Sequence, residues 1–143
     1  MRLSRSGATA GAALLALTAM VTLAACSSDN NDPTPVFLAG NYEVTGIWQG
    51  LPADTPVIIP VTGTGVLTNT NYTITIPAIA TVSAGTYQAF SDGTFTQDGT
   101  ATVGGNPPQA IQCTGTFTDE SDVVTVDTIC LGQRTVTVLD RNI

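Results

Sequence analysis

The sequence predicts an all-β, antiparallel domain behind an N-terminal export segment. Three observations carry that expectation. Past residue 36 the chain is rich in Thr, with Val, Ile, Tyr and Phe supplying the bulk, and these residue types suit a pleated, half-buried surface. Tyr72, Ile74 and Ile76 alternate with Thr73 and Thr75, while no amphipathic helical period runs anywhere after the leader. Short runs of this kind are parted by Gly, Pro and Asp-Gly signals at close spacing.

The first element is the leader. Arg2 and Arg5 give a positive start, an uncharged stretch from Ala8 to Leu23 follows, and small residues stand at Ala24 and Ala25. That is the order of a bacterial secretory signal, read over residues 1–25. The alternative is an uncleaved spanning helix, but the run is slightly short and its Thr, Gly and Ala make it weakly apolar. Leu23-Ala24-Ala25-Cys26 resembles the lipobox of bacterial lipoproteins. The resemblance implies that Cys26 becomes the first mature residue and carries the lipid. Two or more acyl chains on one residue anchor a protein stably. Within that family an Asp directly after the cysteine favours inner-membrane retention. Ser27 stands there instead, which points to the outer membrane, on its periplasmic or its surface face.

Residues 26–36 read as a lipidated, flexible tether, polar and short-sided with Pro33 and Pro35 near its end. The folded domain is expected over residues 37–143. Strands are expected at 41–48, at 57–68 with Pro60 as an edge or bulge marker, at 72–82, at 85–90 and at 94–97. The last two join across Ser91-Asp92-Gly93, a tight-turn signal. A second Asp-Gly, Asp98-Gly99, leads into 100–103, either a separate strand or a continuation. Residues 104–108 form a loop, and strands at 110–118, 123–130 and 134–140 complete the chain. Eight or nine short antiparallel strands suggest a meander closed into a barrel, or a sandwich.

After residue 25 there is no Lys and no His. Arg134 and Arg141 face all eleven carboxylates, a formal charge of −9. Such a surface repels phosphate, which argues against a nucleic acid partner. Acidity is ordinarily a solubility device; as a functional signal it suits a cationic protein partner. Without imidazole or amine the commonest bases, Schiff-base nucleophiles and histidine metal sites are missing. No catalytic residue, cofactor or metal site is therefore expected. Asp119, Glu120, Asp122 and Asp127 are the densest acidic cluster. They lack the ligand alternation of a calcium loop and read as a solvated hairpin tip.

With Cys26 lipidated, Cys113 and Cys130 remain as an even pair suited to an oxidising compartment. If residues 120–123 form a four-residue hairpin loop, Asp119 faces Val124, Phe117 faces Val126, Gly115 faces Thr128 and Cys113 faces Cys130. Close antiparallel pairing brings Cα atoms to about 4.5 Å, which suits a disulfide. A Gly-x-aromatic pattern recurs at Gly40-Asn41-Tyr42, Gly85-Thr86-Tyr87, Gly93-Thr94-Phe95 and Gly115-Thr116-Phe117. Residues two apart share a strand face, so each ring has bare backbone to lie over. The plain reading is core packing. The functional one is a cavity for an apolar ligand, lined by Tyr42, Tyr87, Phe95 and Phe117. Trp48 either joins them at a barrel mouth or caps the core.

The arrangement is similar to the lipocalin-like domains of small bacterial lipoproteins, within the broader calycin group. That family opens its first strand with Gly-x-Trp, and Gly40-Asn41-Tyr42 stands in that place. A later Gly-x-aromatic strand and its hairpin are matched by Gly85-Thr86-Tyr87 and Asp92-Gly93-Thr94-Phe95. In the family an Arg after the last strand packs over the opening aromatic. Arg141 is therefore expected to stack on Tyr42 as a cation–π contact at the barrel end. The resemblance implies an up-and-down barrel of about eight strands with an apolar cavity. The function expected is that of a lipid-anchored, non-enzymatic envelope protein holding a small apolar ligand. The alternatives are a barrel that binds a cationic protein, for example an inhibitor of a lysozyme-like enzyme, or a structural envelope protein with no discrete ligand.

Overall fold

Residues 31–141 are described by a computed structural model, so the leader and Cys26 lie outside the described residues. The strands are β1 (Pro35–Val36), β2 (Gly40–Gly50), β3 (Ile59–Leu67), β4 (Asn71–Ile76), β5 (Thr81–Phe90), β6 (Thr94–Thr102), β7 (Gln109–Glu120), β8 (Val123–Cys130) and β9 (Gln133–Asp140). Each strand from β2 to β8 pairs antiparallel with its successor, and β9 pairs back onto β2. The result is a closed, eight-stranded up-and-down barrel, which decides the barrel-or-sandwich choice. Closure removes the free sheet edges that an open sheet would expose.

β5 runs past the start of β4, whose Asn71 pairs with Thr86, and there β1 takes the vacant edge, setting Pro35 against Phe90 and Val36 against Ala89. Leu38 behind it is fully buried. The last residues assigned to the tether thus belong to the barrel, because their backbone completes the ladder along β5. Pro60 pairs with Gly46 where β2 bulges between Val44 and Gly46, a place that tolerates its missing N–H.

Two local expectations are corrected and one open choice is decided. The run 72–82 is two strands, because Pro77–Ile79 forms a 3-10 turn that ends at Ala80 with φ 47° and reverses the chain. The choice left open at Asp98-Gly99 falls to a continuation: β6 runs through it, and Gly99 pairs with Gly85 of β5. The β7–β8 hairpin has the expected register, including Cys113 opposite Cys130, but a shorter loop. Glu120 pairs with Val123, and Ser121 and Asp122 turn the corner with φ of 51° and 68°. Two positive φ values are what a two-residue turn needs to match strand twist.

The barrel is packed at one end. Leu38, Tyr42, Tyr72, Tyr87 and Phe95 form a single cluster with Val44, Leu67, Val124 and Leu139. Tyr87 stacks on Phe95 with centroids 5.6 Å apart, and Phe117 meets Phe95 edge-on at 6.2 Å. Buried phenols need partners. Tyr42 Oη donates to the Leu38 carbonyl at 2.6 Å, and Tyr87 Oη donates to that of Thr68 at 2.7 Å. The Leu38 N–H in turn donates to Tyr87 Oη at 3.1 Å, so the N-terminal segment is locked across this end.

Candidate functional site

Up-and-down topology sorts the connections between the two ends. The packed end carries β1 and the turns after β3, β5 and β7. The other end carries the 51–58 loop, the Pro77–Ile79 turn, the 103–108 loop and the Leu131-Gly132 turn. Between those last four the barrel is hollow, with a cavity of about 800 Å³. Its floor is built where Tyr72 Oη meets Ser83 Oγ at 3.1 Å and also bonds to the Gln97 side chain. Ser83 and Gln97 both line the cavity.

The reason for the hollow half lies in the inward-facing residues. Along β8, Val124 and Val126 give way to Thr128 and Cys130; along β9, Leu139 gives way to Thr137, Thr135 and Gln133. Large hydrocarbon fills the closed end, and short or polar side chains reach inward near the mouth. On the other side Ile74, Ile76, Ala101 and Ile111 present hydrocarbon to the cavity. Ile79, Val103 and Leu131 stand exposed around its rim. Among the described residues, none that line the cavity is charged.

The ring residues expected to line a cavity do not line this one. Tyr42, Tyr87, Phe95 and Phe117 occupy the packed half, because rings that large fill a small barrel where they meet one another. The glycine argument holds for Gly40, where an added Cβ would touch the Tyr42 ring at 3.4 Å. At Gly85 and Gly115 an added Cβ would strike a neighbouring strand's backbone instead, and Gly93 is a turn residue with φ 84°. These glycines let strands approach closely. They do not cradle rings.

Trp48 lies on the outer wall, paired with Val136 of β9 and with its ring beside Gly50. The Arg134 guanidinium lies over that ring, 5.9 Å from its centroid. Arg134 also grips Asp127 through Nε at 2.8 Å and Nη2 at 2.6 Å, and its Nη1 reaches the carbonyl of Asp54 at 3.2 Å. That contact holds the 51–58 loop against the wall. Its hydrogen bonds keep the Asp127 carboxyl below the usual carboxylate range.

Arg141 makes a matching clamp at the packed end, as the resemblance implied. Its guanidinium sits 5.4 Å from the Tyr42 centroid, Nε donates to Tyr42 Oη at 3.0 Å, and the two Nη atoms fork onto Asp119. Asp119 and Asp127, half of the acidic cluster, are therefore arginine partners. Cys113 and Cys130 form a disulfide with Cα atoms 4.4 Å apart, joining β7 to β8, and Cys130 faces the cavity.

The residues missed from sequence are the Thr and Gln of the hollow half. Their signal was present: on one face of β9 the series Leu139, Thr137, Thr135, Gln133 changes from apolar to polar partway along. The chain matches no protein-family model, no curated protein and no solved structure.

Proposed function

We propose that this chain is a lipid-anchored envelope protein of lipocalin-like build, whose barrel holds one small apolar ligand in its open half. The observation that carries the reading is the cavity. Eight strands are few enough for side chains to fill the interior entirely, as they do at the packed end. At the open end a space of about 800 Å³ remains, within the usual range for small-molecule sites. β1 pairs with β5 at the packed end, the end away from the cavity mouth. Neither a cationic protein partner nor a purely structural role has a comparable site behind it, since an acidic exterior also serves solubility.

Mass spectrometry of the protein solubilised from membranes tests both halves of the proposal. Under denaturing conditions Cys26 is expected as an acylated N-terminus; an intact Met1 would sink the anchor. Under native conditions a co-purifying neutral molecule is expected at one-to-one ratio. A clean apoprotein mass that accepts no added hydrophobe would sink the ligand.

A further inference from the structure

The ligand reading leaves the ligand's chemistry open, and the cavity walls narrow it. β8, β9 and β2 are consecutive around the barrel. Together they present Thr128, Thr135, Thr137, Gln133 and Gln49 to the cavity. Thr128 and Thr135 are directly paired across strands, and both line the cavity. Thr128 is 3% exposed, and its hydroxyl meets only the Cys130 sulfur, at 3.8 Å. Sulfur is a weak partner, and a hydroxyl with one bond keeps further hydrogen-bonding capacity. The side chains of Thr135, Thr137, Gln133 and Gln49 make no hydrogen bond among the described residues. Ile74 and Ile76 on β4, opposite β8 in the strand order, offer hydrocarbon, and the Ser83 and Gln97 side chains beside them are already engaged by Tyr72.

We infer that the site selects an uncharged amphipathic ligand: a hydrocarbon body against the isoleucine side, with hydroxyl or ester oxygens on the threonine–glutamine wall. This rests on the ligand reading above and adds its chemical class. Ionised ligands are disfavoured for two reasons. The cavity offers no counter-charge, and burying an unpaired charge is costly. For anions the chain's excess of carboxylates adds long-range repulsion. A monoacylglycerol has the required features, while a fatty acid of the same length differs by its charge.

The test uses residues 27–143 exported behind a plain secretory leader, which keeps the whole closed barrel. Diphenylhexatriene, a neutral hydrocarbon without hydrogen-bonding groups, reports on the cavity by its fluorescence. 1-Monolauroylglycerol and dodecanoate then compete for it at pH 8. The glycerol ester is expected to displace the probe at a concentration at least about tenfold lower than dodecanoate. In Thr128→Val/Thr135→Val, which keeps side-chain shape, the ester is expected to weaken about tenfold while the probe still binds. Equal displacement by ester and acid, or an unchanged ester affinity in the variant, would overturn the inference and leave the cavity reading intact. Failure of the probe and both lipids to bind would overturn the cavity reading with it.

Discussion

Leu131 begins the β8–β9 turn with φ 50°, and Gly132 follows at 79°. Glycine adopts that region freely, whereas for leucine it costs about 1–2 kcal/mol. The side chain is 65% exposed, so core packing does not repay the strain. It does stand on the cavity rim. Leu131→Asn puts the preferred Asn-Gly pair in this turn and is expected to raise unfolding free energy by about 1 kcal/mol. The same change removes hydrocarbon from the mouth, so monoacylglycerol affinity is expected to fall a fewfold. Urea denaturation and probe displacement read the two effects separately. A variant no more stable than its parent would show that the turn carries no strain. Arg134 and Arg141 illustrate the opposite use of single residues. Each lies on an aromatic ring and forks onto one aspartate, so both clamp structure and neither faces the cavity.

At the scale of elements, β5 and β6 approach each other closely. A Cβ added at Gly99 would collide with the Ala84 carbonyl oxygen, and one at Gly85 with that of Asp98. These are backbone atoms that cannot swing aside. Gly99→Ala is expected to destabilise the barrel by about 3 kcal/mol, at the upper end for overpacking. Gly40→Ala is the control: its neighbour is the Tyr42 ring at 3.4 Å, an ordinary contact, and the cost is expected to stay below about 1 kcal/mol. Equal effects in thermal unfolding would mean that close strand approach is not what Gly99 provides. This pair also shows what the sequence made legible. Strand alternation and the β7–β8 register could be read directly, since inward residues recur every second position and Cys113 pairs with Cys130. Asp98-Gly99 left two choices open because a local turn signal is indistinguishable from a glycine required by a neighbouring strand. The Pro77–Ile79 turn was hidden inside an apolar run. The cavity was placed among the wrong residues for a related reason: aromatic rings mark where a small barrel is filled, and the hollow is marked by inward threonines.

The whole molecule has an unusual titration pattern. The chain contains no His and no Lys, so its shifted carboxyls and phenols form two widely separated sets. Asp127 is held low by its hydrogen bonds to Arg134, and Asp92 by those from Thr94. A carboxyl whose folded pKa lies below its unfolded value adds stability above the unfolded value. That contribution is lost as pH falls through the folded one. Tyr42, Tyr72 and Tyr87 are raised, chiefly by burial. For them the sign reverses: their stability is whole below the ordinary phenol value of about 10 and lost as pH rises through the raised one. Urea midpoints are therefore expected to be flat from about pH 6 to 9 and to fall on either side. The three buried phenols are also all the tyrosines the chain has. Phenolate absorbance is then expected to rise in one step together with loss of the far-ultraviolet β signal. A gradual phenol titration near its ordinary value with the β signal intact would mean that water reaches those rings, and that the packed end is not what closes the barrel.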